Sequence, residues 1–204
     1  MKTLAILFLS LLIVPRLGYA QTIDNLDDVS PFYNGLAAIK KSGQWAFINE
    51  DGKIAIDFRS DVVLSPTENG NYPIFSEDKC IIEDLKNGIS YFGYIDKSGQ
   101  TVIQPQFLNV INFNDGKALA LKLIKEEVTK NTALGKNVVS YKYFEVVING
   151  NGEILHYLNP SGVHITLDKD YVRNPPKITS KRLTNNLYIM EDKNKKIKII
   201  STAD

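Results

Sequence analysis

Along this chain, short runs of alternating apolar and polar residues are cut repeatedly by glycine. Trp45-Ala46-Phe47-Ile48-Asn49 puts Trp45, Phe47 and Asn49 on one face of an extended segment and Ala46 and Ile48 on the other. That period of two predicts a β-strand. Glu50-Asp51-Gly52 interrupts it, and Lys53-Ile54-Ala55-Ile56 resumes an apolar tail. The same string returns 47 residues further on as Phe92-Gly93-Tyr94-Ile95-Asp96-Lys97-Ser98-Gly99-Gln100-Thr101-Val102-Ile103. A fainter copy, Glu145-Val146-Val147-Ile148-Asn149-Gly150-Asn151-Gly152-Glu153-Ile154-Leu155, follows after another 53. An Asx residue with Gly three positions later predicts a tight hairpin loop, with Gly52 and Gly99 at the left-handed position. Self-similarity at this spacing predicts stacked units, none of which buries its apolar face alone.

Each unit also has a front half. Phe32-Tyr33-Asn34-Gly35-Leu36-Ala37-Ala38-Ile39 matches Phe113-Asn114-Asp115-Gly116-Lys117-Ala118-Leu119-Ala120, with Phe75-Ser76-Glu77-Asp78-Lys79-Cys80-Ile81-Ile82 between them. A Phe leads into a turn, and a short apolar strand follows. Gly35 and Gly116 are expected at positive φ, where a side chain costs about 1 kcal/mol or more. Second turns are expected at Lys40–Gln44 and Asp84–Gly88. Each unit is therefore a three-stranded antiparallel meander of about 20 to 25 residues plus a connection. The predicted fold is mostly β, an array of antiparallel meander or hairpin repeats. It divides into a leader at 1–20, a lead-in at 21–31, repeats at 32–155 (about 32–74, 75–112 and 113–155) and a divergent β cap at 156–204.

The third unit carries an excursion over 122–142, for which a long hairpin or a one-turn helix fits. Loop elaborations of this kind carry binding specificity, or else form a solvated extension. In the cap, Asn159-Pro160-Ser161-Gly162 reads as a turn, Val163 to Leu167 as a strand and Asn174-Pro175-Pro176 as a bend. Leu187 to Met190 and Lys196 to Ile200 flank Glu191–Lys195 as a closing hairpin.

The first twenty residues change the picture. Met1-Lys2-Thr3 precedes an apolar run from Leu4 to Val14, and Gly18-Tyr19-Ala20 ends it. This describes a cleavable secretory signal, with cleavage after Ala20 and a mature chain from Gln21. An uncleaved anchor is the competing reading, but the run falls short of the ~20 apolar residues of a span. The protein is thus expected in the periplasm or at the cell surface, with no membrane span in the mature chain. At 44% hydrophobic and 23% charged it is globular. A formal charge of +1 calls for no nucleic acid. The one basic cluster, Lys193 to Lys198, reads as a solvated hairpin tip. Cys80 is the only cysteine, so no internal disulfide forms. Ala37 and Ala118 at its matching positions mark it as a small buried hydrophobe.

These residues resemble the WG-repeat family of bacterial proteins. The family's unit reads approximately Phe-x-x-Gly-Leu-Ala-x-Val, a Gly turn, then Lys-Trp-Gly-Tyr-Ile-Asp-x-x-Gly-x-x-Val-Ile-x-Pro. In the first unit Phe32, Gly35, Leu36, Ala37, Trp45, Ile48 and Gly52 match, with Phe47 at the Tyr place and Ala46 at the Gly place. The second matches through Gly93, Tyr94, Ile95, Asp96, Gly99, Val102, Ile103 and Pro105, with Phe92 at the Trp place. The third keeps Phe113, Gly116, Ala118, Ile148 and Asn149, aligns Gly152 with the turn glycine, and has Glu145 and Val146 at the Trp and Gly places. The resemblance covers about Phe32 to Leu155. It implies a β-rich interaction module without a shared catalytic centre, so the matched residues stand as a structural signature.

Candidate chemistry is sparse. His156 and His164 are isolated, and no His-Glu-x-x-His, Cys pair or Asp-rich calcium loop appears. There is no Gly-x-Ser-x-Gly elbow or phosphate-binding glycine loop. Glu83-Asp84 and Asp27-Asp28 read as solvated turn features, because strand neighbours point to opposite faces. No catalytic, metal or cofactor residue is assigned. The aromatics Trp45, Phe47, Phe92, Tyr94, Tyr141, Tyr143 and Tyr157 read as a seam between units or as a stacking surface. Their repeat positions favour the seam. Tyr72, Tyr91 and Tyr171 are the better candidates for an exposed platform. The expected function is a non-catalytic exported module that binds a protein partner. The alternative is binding of carbohydrate or peptidoglycan, a cell-envelope glycan, through exposed aromatics.

Overall fold

The computed structural model describes residues 22–131, 136–168, 174–191 and 195–202. The leader, Tyr171 and the tips of the excursion and of the closing hairpin lie outside the described residues. Every element within them is a β-strand, in agreement with the expected fold class. β1 (Asp28–Tyr33), β2 (Leu36–Lys41), β3 (Gln44–Ile48) and β4 (Ile54–Arg59) form one antiparallel sheet in chain order. β5 (Ser65–Thr67) and β6 (Gly70–Tyr72) make a small hairpin. β7 (Lys79–Lys86), β8 (Ile89–Asp96), β9 (Thr101–Val110), β10 (Lys117–Asn131), β11 (Lys136–Asn149) and β12 (Ile154–Tyr157) form a second sheet. β13 (Val163–Ile165) pairs with β11 beyond the end of β12, and β14 (Lys181–Arg182), β15 (Leu187–Glu191) and β16 (Ile197–Ser201) close the fold.

Local turn chemistry explains why strands form where they do. Asn34-Gly35, Ser42-Gly43, Asn87-Gly88 and Asp115-Gly116 each have both residues at positive φ. That is the mirror-image turn whose twist matches paired strands. Glu77-Asp78 does the same without glycine. The second turns are narrower than expected: Lys40 and Lys41 end β2, Asp84 to Lys86 end β7, and only two residues turn the corner. Glu83 and Asp84 accordingly lie on an exposed strand rather than in a turn, and Asp28 opens β1.

The longer loops repeat one hydrogen-bond pattern. Asn49 Oδ1 accepts the amides of Asp51 at 3.1 Å and Lys53 at 2.9 Å. Asp96 Oδ1 accepts those of Ser98 and Gln100, and Asn149 Oδ1 those of Asn151 and Glu153. The Ser98 hydroxyl and the turn amides hold the Asp96 carboxyl below its ordinary range. Gly52, Gly99 and Gly152 follow at φ of 74°, 81° and 80°.

The units are joined by shared corner strands. β9 pairs with β8 through its first half and with β10 through its second, where Val110 faces Ala120. The stretch after β4 does the same, with Val62 bridged to Ile82. β1 holds the matching place in the first unit, since Val29 faces Ile39. The lead-in at 21–31 therefore contributes strand from Asp28 onward.

Stacking follows one rule. Leu36, Ala38, Trp45, Phe47 and Ile56 pack on Phe75, Cys80, Ile82 and Ile95. One unit later Ile81, Phe92, Tyr94 and Ile103 pack on Phe113, Ala118, Ala120, Val146 and Ile148. The leading Phe of each unit meets the ring of the unit before it edge-on: Phe47 with Phe75 at 4.9 Å and Tyr94 with Phe113 at 4.8 Å. Along one edge the turns link unit to unit, with Asn34 Oδ1 accepting Asp78 N and Glu77 Oε2 accepting Gly116 N. Cys80 lies in the first seam, and burial pushes its thiol up to about 12. Phe32 departs from its expected role: it is half exposed and meets no ring of another unit among the described residues.

The turn glycines report on the same stacking. A Cβ on Gly99 would lie 3.1 Å from Ile56 Cγ2, and one on Gly152 would lie 2.8 Å from Ile103 Cγ2. Gly52 has nothing within 4 Å. Backbone strain at the three positions is alike, so the difference isolates stacking. Gly52→Ala is expected to cost only the positive-φ strain of about 1 kcal/mol. Gly152→Ala adds overpacking of about 1 to 3 kcal/mol. Urea midpoints of the two variants check this, and equal losses would contradict the stacking.

Candidate functional site

The signature residues come together as seam, not as a binding surface. Trp45, Phe47, Phe92 and Tyr94 are buried. Burial raises the Tyr94 phenol, whose hydroxyl donates to the Ile111 carbonyl at 2.7 Å. Lys40 Nζ lies 5.5 Å from the centre of the Trp45 ring, over its face. Tyr157 does not join the seam: it is largely exposed and leans edge-on against Phe144 at 5.6 Å. Tyr72 is not a platform either, since its ring meets Trp45 edge-on at 6.2 Å and packs on the core.

The Gly of the Trp-Gly pair answers to the neighbouring strand. Between Phe92 and Tyr94 the partner β9 runs from Phe107 to Ile103, a wide bulge containing Pro105. A Cβ on Gly93 would overlap the Ile103 carbonyl and lie 2.7 Å from Pro105 N. Between Trp45 and Phe47 the partner runs only from Arg59 to Ile56, and Ala46 fits. In the third unit the register is unbroken from Val146 to Val147, and a β-branched residue fits. Residue size at this place falls as the bulge widens.

A concave surface forms where two hairpins outgrow the seam. β7 and β8 extend to Lys86 and Ile89, and the β10–β11 hairpin runs beyond its pairing with β9. The 122–142 excursion is therefore the hairpin of the two expected forms. β13 widens it, with Tyr141 facing Ile165 and Lys142 facing His164. Two grooves of about 550 and 500 Å³ share Tyr141, Leu167 and Asp168. One reaches Tyr91 and Asn87, the other Ser140 and His164. Tyr91 is half-buried; burial, then the nearby Tyr141 phenol, raises its pKa. Lys86 Nζ sits 5.7 Å from the Tyr91 ring centre and donates to the Pro105 carbonyl at 3.0 Å.

Ser140 Oγ lies 3.3 Å from His164 Nδ1, a contact that sequence reasoning did not find because the two are 24 residues apart on different strands. It is exposed, and it presents a hydroxyl and an imidazole to a ligand at the groove rim. His156 lies on β12, away from it. Among the described residues no cluster of three or more His, Cys, Asp or Glu has metal-holding geometry.

The third unit's departure from the pattern has its own role. Glu145, in the Trp place, is buried, and its carboxylate accepts Thr179 N at 3.1 Å, Thr179 Oγ1 at 2.6 Å and Ser180 N at 2.8 Å. A side chain that elsewhere packs on the next unit here holds the segment leading to β14. Tyr188 and Met190 then cover Leu119 and Val147. Removing the acceptor leaves buried donors unpaired, at about 1 to 3 kcal/mol. Glu145→Ala is expected to release residues 177–202 to protease while Phe32 to Val110 stays protected. Cleavage spread evenly along the chain would contradict this anchoring.

Comparison with known proteins agrees with this geometry. A family model described as the WG containing repeat matches residues 25–45, 45–80 and 92–122. No curated protein and no solved structure matches the chain. The matched stretches resume at Trp45 and again at Phe92, the two aromatic places buried in the seams. By the residues that hold its units together, the stretch 25–122 is built of WG repeats.

Proposed function

We propose that this protein is an exported, non-catalytic interaction module that binds a protein partner along the groove between Tyr91 and Tyr141. The observation that carries the reading is the division of aromatic residues. Those in repeat positions are consumed by the seams, whereas Tyr91 and Tyr141 line a concave surface built by the two overlong hairpins. Concave, partly apolar surfaces with a few convergent polar groups are where ligands bind. Asn87, His164 and Ser140 supply those groups here. Export rests on the leader pattern of residues 1–20, with the periplasm or cell surface as destination.

A glycan of the cell envelope is the second reading, favoured by the proximity of two phenols with hydroxyl and amide neighbours. Aromatic faces stack on sugar rings while polar neighbours fix hydroxyls. Capture from an envelope fraction separates the two: a retained protein supports the first reading and retained polysaccharide the second. In either case Tyr91→Ala with Tyr141→Ala is expected to abolish retention by a protein that remains folded, at a stability cost of about 1 to 3 kcal/mol because Tyr91 also packs on Ile89, Leu108 and Leu121. Undiminished retention by that double variant would overturn the assignment of the groove.

A further inference from the structure

The two ends of the array remain apolar. In the second and third units the leading Phe is almost fully buried, Phe75 at 3% and Phe113 at 2% exposure, whereas Phe32 is 48% exposed. Val110 is 7% exposed, and Val29 in the matching place is 49%. Of the first-unit side chains at these matching places, Val29 and Phe32 are the exposed ones. Ala37, Ile39 and Ala46 behind them are buried, so the exposed part is the rim formed by β1. At the other end, Ile197 and Ile199 are 71% and 68% exposed. They alternate along β16, so both point to the face of the terminal sheet opposite Tyr188 and Met190. Large apolar side chains exposed in pairs like these mark surfaces that a partner covers.

Charge orders the two ends. Residues 22–59 hold six carboxylates and four cations, with Asp24, Asp27 and Asp28 at the rim, and residues 177–204 hold seven cations and three carboxylates. On the outer side of the terminal sheet Lys181 faces Ile189 and Glu191 faces Ile197, so the excess of cations lies in the segment around that face rather than on it. Two N-terminal ends repel, two C-terminal ends repel, and one of each attract.

We propose that copies of this chain associate end to end, the Ile197 and Ile199 face of one copy seating on Val29 and Phe32 of the next. Side chains rather than backbone make the contact: Pro31 lacks an amide hydrogen and the register of β1 shifts between Val29 and Phe32, so that edge is a poor template for strand addition. The contact is heterologous, and continues as a ring or a filament. It stands apart from the Tyr91–Tyr141 groove and does not depend on it.

Sedimentation equilibrium of the purified protein over a dilution series tests this, together with Phe32→Asp and Ile199→Asp, both at exposed positions. The wild type is expected to exceed monomer mass as concentration rises and to lose that excess in high salt. Each variant alone is expected to stay monomeric. Their equimolar mixture is expected to form a dimer and nothing larger, because each variant keeps the end that the other needs. That complementation also shows that both variants are folded. A wild type monomeric throughout, a variant that still self-associates, or a mixture that stays monomeric overturns the proposal.

Discussion

The structure depends on one contact, repeated: the leading ring of a unit set edge-on against an aromatic ring of the unit before it. Phe47 with Phe75 and Tyr94 with Phe113 keep almost the same separation, 4.9 and 4.8 Å. A meander of about 20 to 25 residues has too little apolar surface to stand alone. The second and third units therefore each serve two neighbours, one through each face. The turn glycines lie under the same constraint, since Gly99 rests on Ile56 and Gly152 on Ile103. Side chains of one unit thus limit what the next is able to carry. The period of the sequence is the period of that contact.

Features set by neighbouring residues were legible in the sequence. Gly35, Gly116 and Gly99 take positive φ because a hairpin turn demands it wherever it occurs. Asn49, Asp96 and Asn149 accept amides within their own loops. Features set by distant strands were not legible. Gly93 conforms to a bulge in β9 that only the pairing register reveals. Phe32 matches Phe75 and Phe113 in sequence, yet it is half exposed where they are buried against a neighbouring unit. The meeting of Ser140 with His164 depends on β13 pairing with β11, which no repeat pattern announces. Tyr91, expected on an exposed platform, is half-buried and lines the groove beside Tyr141, which the sequence pattern groups with the seam.

Architecture and recognition are separated on this scaffold. The positions that define the family are occupied with holding units together, which leaves recognition to whatever outgrows the units. In the proposed reading these are the overlong β7–β8 and β10–β11 hairpins and the apolar patches at Val29–Phe32 and Ile197–Ile199. Glu145 shows how a signature position is freed: once no further repeat follows, a carboxylate in the Trp place anchors a different closing element. On that proposal, variation in hairpin length would alter binding without disturbing the seam.

Trp45 offers the most direct measurement of the central claim, because it is the only tryptophan and lies in the first seam. Its native emission is expected to be blue-shifted and poorly quenched by iodide, and Trp45→Ala is expected to cost about 3 to 5 kcal/mol in urea unfolding through lost burial and a cavity. A red-shifted, readily quenched Trp45 whose removal leaves stability within about 1 kcal/mol would contradict the account.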